Sequence, residues 1–67
     1  MRKNQWDAVA TVLRDAGFPA NRQDLVNHAR VRKVDELTLG LIRRLPVGVY
    51  RNLVEVRERA ERIPDPA

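Results

Sequence analysis

The apolar residues of this chain recur three and four positions apart in four successive segments. That spacing puts them on one face of a helix, because an α-helix turns once in about 3.6 residues. The four apolar sets are Trp6, Val9, Ala10 and Leu13; Leu25, Val26 and Ala29; Leu37, Leu41, Ile42 and Leu45; and Leu53, Val56, Ala60 and Ile63. The pattern predicts an all-α fold, a small single-domain bundle of four short helices.

Residues that cap or end helices separate the four segments. Gly17 favours the left-handed backbone that ends the first helix. Pro46 ends the third, since proline lacks an N–H group and disfavours helical geometry at the residue before it. A short polar side chain at a helix start can accept a hydrogen bond from a backbone N–H of the first turn. On that basis the predicted N-caps are Asn4, Asn21, Asp35 and Asn52.

The stretch 37–50 holds the densest apolar run of the chain, and we expect the fold to be organised around it. Leu41, Leu45 and Tyr50 are predicted to be buried because of their spacing beside Pro46. Leu37, which opens the apolar set of the third helix, is expected to face the core with them.

Length and composition limit what the chain can be. Sixty-seven residues allow one domain, and a domain of this size buries only about 60% of the surface of its unfolded chain. The chain contains no cysteine, which excludes disulfides and thiolate zinc sites. It also has no apolar run long enough to span a membrane and no signal-peptide core. We therefore expect a cytoplasmic protein without a membrane partner.

The charge balance favours polyanionic partners without deciding the matter. Thirteen basic and nine acidic residues give a net charge of +4. A basic surface attracts phosphates, yet basic residues that alternate with acids also form ordinary solvated, ion-paired surfaces. If the fold brings them together, a polyanion-binding face would consist of Arg30, Arg32, Lys33, Arg43, Arg44 and Arg51.

In outline, the second and third predicted helices and the short basic turn between them resemble a helix-turn-helix. A recognition helix presents base-reading side chains at its N-terminal end. Here that end is Asp35-Glu36-Leu37-Thr38, acidic and then apolar, which would repel phosphates. Any nucleic-acid binding is therefore expected to be mainly non-specific.

Catalytic and metal-binding patterns are missing from the sequence. His28 is the only histidine, and with Asp24 one turn before it, it supplies too few ligands for a metal site. A surface or half-packed histidine is the simpler interpretation. The chain has no serine and no glycine-rich phosphate loop. We expect no enzymatic activity, no cofactor and no bound metal.

Several short motifs carry a family resemblance. They are Phe18-Pro19-Ala20, Leu25-Val26, Ala29, Leu45-Pro46 followed by Tyr50, and Val56. Over about residues 18–60 the chain resembles a family of small bacterial domains of unknown function, the family numbered twenty-seven ninety-five. Lys33-Val34 stands where that family usually has Gly-Ala. The resemblance implies a compact helical domain and no particular activity.

The first helix lies outside this resemblance, which predicts a division of the single domain 1–67. Residues 1–17 would form an appended helix, 18–63 the family-like core and 64–67 a frayed tail. Trp6, Val9 and Leu13 of the appended helix are candidates for a partner or dimer surface, because large apolar side chains dominate interface energetics. The alternative is that Trp6 only completes the monomer core.

From sequence alone, the predicted function is therefore a small non-enzymatic binding domain for a protein partner or for self-association. Nucleic-acid binding is the alternative.

Overall fold

The computed structural model describes residues 1–64, which fold into four helices and one small sheet. The elements are α1 (Lys3–Leu13), β1 (Ala20–Asn21), α2 (Arg22–Val31), α3 (Glu36–Arg43), β2 (Val49–Tyr50) and α4 (Leu53–Glu61). The prediction of an all-α bundle is confirmed. Apart from Pro64, the predicted frayed tail lies outside the described residues. None of the helices in 1–64 is long and apolar enough to cross a membrane.

Three of the four predicted N-caps are confirmed. Their side-chain oxygens accept from backbone N–H groups three residues later: Asn21 from Asp24 at 2.8 Å, Asp35 from Thr38 at 3.4 Å, and Asn52 from Glu55 at 3.0 Å. The cap predicted at Asn4 is wrong, because α1 already begins at Lys3. The residue before the helix is Arg2, and its backbone N–H donates to the side-chain oxygen of Gln5 at 3.0 Å. The hydrogen bond at this helix start is therefore supplied by a side chain from inside the helix.

The turn after α2 contains the one non-glycine residue with positive φ in the described part of the chain. Lys33 has φ of 56°. Its N–H donates to the Arg30 carbonyl at 3.0 Å, and the Val34 N–H donates to the Ala29 carbonyl at 3.3 Å. This is the Schellman arrangement, in which glycine is the usual left-handed residue. A side chain at that position costs about 1 kcal/mol or more, which a glycine would avoid.

The two-stranded sheet was not predicted from the sequence. Its strands run antiparallel, and Ala20 pairs with Tyr50 while Asn21 pairs with Val49. Ala20 belongs to the Phe-Pro-Ala motif, whose Phe18–Pro19 peptide bond is cis, and Tyr50 ends the Leu-Pro-x-x-x-Tyr motif. The two motifs that carry the family resemblance therefore meet in space and join the α1–α2 link to the α3–α4 link.

The core lies between the four helices and includes residues from both strands. Its buried apolar members are Val9, Leu13, Ala20, Leu25, Val26, Ala29, Leu39, Leu41, Ile42, Leu45, Tyr50, Val56 and Ala60. The predicted burial of Leu41, Leu45 and Tyr50 is confirmed. The prediction for Leu37 is wrong, because its side chain is 66% exposed. Thr38 takes the inward position instead, since successive helical residues point about 100° apart.

Candidate interaction surfaces

A shallow groove runs along the surface between α1 and α4. We call it the Trp6 groove, and its lining residues are Met1, then Lys3, Trp6 and Ala10 of α1, and Leu53, Val54, Arg57, Ala60 and Glu61 of α4. Trp6 is half-buried and lines both of the depressions that make up the groove, whereas Val54 at its edge is 62% exposed. Arg57 is held at the rim by an ion pair with Glu61, at 3.3 Å between Nε and Oε1.

Of the three candidate interface residues on α1, only Trp6 reaches this surface. Val9 and Leu13 are fully buried, so the prediction that they form an interface is wrong. The reason is that α1 packs against α2, α3 and α4, and these two side chains point inward between them. Sequence reasoning missed the contribution of α4, because nothing local shows that Val54, which lies outside the predicted apolar face of that helix, stands beside Trp6.

The six basic residues predicted to form one polyanion-binding face lie at the surface but not in one cluster. Arg32 is ion-paired with Asp15, just beyond the C-terminal end of α1. Arg44 lines a depression with Gln5, in the first turn of α1, and donates to the Pro64 carbonyl at 3.4 Å. Because the 11 residues of α1 extend about 16 Å, Arg32 and Arg44 lie near opposite ends of that helix.

These basic residues also differ in their partners. Besides Arg32, Arg51 is paired, with Nε 3.5 Å from Glu55 Oε1. Within residues 1–64, no ion pair is found for Arg30, Lys33 or Arg43, and all three are exposed. Residues 22–51, which we call the basic half, contain seven basic and three acidic residues. The net charge of the basic half, +4, equals that of the whole chain. The other residues of the sequence therefore contain equal numbers of basic and acidic residues.

The start of α3 is acidic at the surface, as the sequence indicated. Asp35 and Glu36 are both exposed there. The pKa of Asp35 is lowered, first because the Thr38 side chain donates to its carboxylate and then through backbone N–H groups, so this group stays negative at neutral pH. Two carboxylates at this end of α3 disfavour phosphate binding and base reading by the helix.

His28 connects α2 to the end of α1. Its Nε2 lies 3.1 Å from the Val12 carbonyl oxygen and 3.1 Å from Asp15 Oδ1. Both neighbours are acceptors, so a proton on Nε2 satisfies the arrangement and the side chain is used in packing the helices. In the part of the chain that the structure describes, no three His, Asp or Glu side chains are grouped to hold a metal ion.

These features define a small helical domain in which the Phe-Pro-Ala and Leu-Pro-x-x-x-Tyr motifs meet in the two-stranded sheet. One family model matches residues 7–57, about three quarters of the chain. The chain belongs to that family, which is described as protein of unknown function, DUF2795. Comparison with the curated proteins found no match, and comparison with the solved structures found none either.

The matched region begins inside α1, earlier than the motifs that carry the resemblance. Residues 7–17 therefore lie within the part of the chain that the family shares. Residues 1–17 were predicted to be an appended helix because the resemblance began only at residue 18. Most of α1 lies within the matched region, so that reason no longer holds.

Proposed function

We propose that this chain is a non-enzymatic interaction domain that binds another protein, or a second copy of itself, through the Trp6 groove. The observation that supports this function is the apolar surface left open between α1 and α4. Trp6 lies half-buried in it, Val54 is 62% exposed, and Arg57 borders both. Tryptophan and arginine in partly buried positions are the residues that most often dominate binding energy in protein interfaces.

The largely apolar lining of the Trp6 groove favours a protein over a polyanion. Most of the residues that line the groove are apolar, and of its three charged side chains, Lys3, Arg57 and Glu61, two are paired with each other. A largely apolar groove gains affinity mainly from buried area and shape, not from long-range attraction. Binding there should therefore change little with salt concentration.

A photo-crosslinking residue at position 54 tests the proposal in the cells that produce the protein. Because Val54 is exposed at the edge of the groove, a benzoylphenylalanine there reaches a bound partner without disturbing the core. The protein it captures is identified, purified and titrated against the chain, with the single tryptophan at position 6 as the fluorescent reporter. We expect Val54→Asp to weaken that binding about tenfold or more.

The matched control is Val47→Asp, since Val47 is 77% exposed and lies in the α3–α4 link away from the groove. This variant should bind as the wild type does. Equal affinity of wild type and Val54→Asp for the purified partner would refute the groove as the binding site. Crosslinks to nucleic acid alone would refute protein binding as its function.

Non-specific polyanion binding is the second candidate function, favoured by the concentration of the net charge in the basic half. Arg30, Lys33 and Arg43 supply positive charge that no ion pair within residues 1–64 neutralises. Exposed basic side chains of this kind bind phosphates by releasing counterions and do not read bases.

We expect duplex DNA of two unrelated sequences to bind with equal affinity and to dissociate steeply between about 50 and about 200 mM salt. The variant Arg30→Gln/Lys33→Gln should lower the slope of log K against log salt concentration by about 2, as measured by fluorescence anisotropy. Arg57→Gln, which removes a paired charge on α4, is the control and should change the slope less. Salt-independent binding, or strong preference for one sequence, would contradict this function.

A further inference from the structure

The outer face of α3 carries an exposed leucine next to a depression. This face, which we call the α3 stripe, consists of Glu36, Leu37, Gly40, Arg43 and Arg44, because residues four and seven apart lie on one side of a helix. Leu37 is 66% exposed. The depression beside it is lined by Gly40, Leu41 and Arg44, together with Gln5 of α1.

Gly40 has no explanation within the folded chain. It stands in the middle of an eight-residue helix, where glycine is a poor helix former. A Cβ added there would meet nothing within 4 Å, so no neighbouring side chain or backbone requires its absence. What glycine provides is an open stretch of helix backbone facing outward, which lets a second helix approach closely.

The charges of the α3 stripe are arranged so that the stripe complements itself. An acid, Glu36, stands at its beginning and Arg43 and Arg44 at its end, with Gly40 midway. When a second copy of the helix lies antiparallel across the first, Gly40 meets Gly40 at the two-fold axis. Glu36 of each copy then lies opposite Arg44 of the other, because both are four residues from the centre.

We propose that the α3 stripe is a symmetric self-association surface whose occupant is the α3 stripe of a second copy of this chain. In this register Leu37 of each copy lies opposite Arg43 of the other and packs against the depression between Gly40 and Arg44, and the two Glu36–Arg44 pairs fix the antiparallel orientation. This places the same surface patch on both sides of a two-fold axis, as a closed dimer requires. The inference uses a different face from the Trp6 groove and does not depend on it.

A stripe on one eight-residue helix is small for an interface. Interfaces that bury less than about 1,200 Å² in total belong to weak, reversible complexes. Association through the stripe is therefore concentration-dependent, and it weakens with added salt because its ion pairs lie at the rim.

Sedimentation equilibrium between about 10 µM and about 1 mM chain tests the proposal. We expect a monomer–dimer equilibrium in the wild type and about tenfold or greater weakening in Leu37→Asp, which stays folded because Leu37 is exposed. Glu36→Arg and Arg44→Glu should each weaken the dimer through like-charge contacts. The double variant Glu36→Arg/Arg44→Glu restores the pairs across the axis and should recover most of the lost association.

Gly40→Ala separates association from folding. In dilute solution, where the chain is monomeric, this variant should melt about 3–6 °C higher, since alanine favours the helix and meets no neighbour. At high concentration it should dimerise less than the wild type, because its methyl groups hold the two helices apart. If Gly40 had no partner at the surface, Gly40→Ala would raise the melting temperature of the monomer but would not weaken its dimerisation.

Val47→Asp is the control and should leave this equilibrium unchanged, because Val47 is 77% exposed and lies outside both the α3 stripe and the Trp6 groove. A wild type that is monomeric up to about 1 mM would overturn the proposal, as would a dimer insensitive to Leu37→Asp or a double charge variant no better than the single ones. A dimer lost in Val54→Asp but kept in Leu37→Asp would overturn it in favour of the Trp6 groove.

Discussion

Replacing Leu45 with alanine is expected to destabilise the domain by about 2–5 kcal/mol, which would leave much of the chain unfolded at room temperature. Leu45 is the last large side chain before Pro46 and is 1% exposed in the centre of the core. Its removal loses buried apolar area and leaves a cavity that the short helices around it can only partly close. Urea unfolding followed by circular dichroism measures the change.

Val47→Ala is the matched control for this experiment. It removes an apolar side chain two residues away that is 77% exposed, and it should change the free energy of unfolding by less than about 0.5 kcal/mol. Equal unfolding curves for Leu45→Ala and the wild type would contradict the assignment of Leu45 to the core.

Replacing Tyr50 with alanine should cost about 3–5 kcal/mol, because its side chain is buried in the core and is hydrogen-bonded to the turn after α3. Its ring is 2% exposed, its backbone pairs with Ala20, and its hydroxyl donates to the Pro46 carbonyl. Tyr50→Phe keeps the ring and removes only that hydrogen bond, so it should cost about 1 kcal/mol. Thermal or urea unfolding of both variants separates the two contributions.

Val49→Ala serves as the control for Tyr50, since the neighbouring side chain is 68% exposed and contributes little burial.

The pH dependence of the free energy of unfolding gives a second check on Tyr50. Burial raises the pKa of the Tyr50 hydroxyl, while Arg59 and Arg22 oppose the shift. A raised pKa in the folded state means that the tyrosine's stabilising effect is present below its ordinary pKa of about 10 and is lost as the pH rises through the raised value. Tyr50→Phe should not show that loss; the same alkaline loss in both proteins would contradict the assignment.

The helices could be predicted because their signals are local. Caps such as Asn21, Asp35 and Asn52 act within one turn, and the apolar period is visible in any window of the sequence. The burial of Leu37 was predicted wrongly because two helical stripes fit the spacing of this segment. One runs from Leu37 through Leu41 to Leu45, and the other runs from Thr38 through Ile42 to Leu45. In a helix of eight residues, only tertiary packing chooses between the two registers.

The surfaces were less predictable, since they depend on contacts between distant segments. The spacing of Trp6 on α1 indicated a candidate interface residue, but nothing local showed that Val54 of α4 would stand beside it. The basic residues were close in sequence, yet α1 separates Arg32 from Arg44. The sheet was missed because two-residue strands show no alternation that a sequence pattern could detect.

The pairing of Ala20 with Tyr50 has a kinetic consequence for the domain. Helices of this length form within about a microsecond from local contacts alone, and helical proteins with local contacts are among the fastest folders. The two strand residues are thirty positions apart, so bringing them together requires closing a loop that contains α2 and α3. The smallest element of this largely helical chain therefore adds a non-local step to its folding, and the packing of α1 against α4 closes a longer loop still.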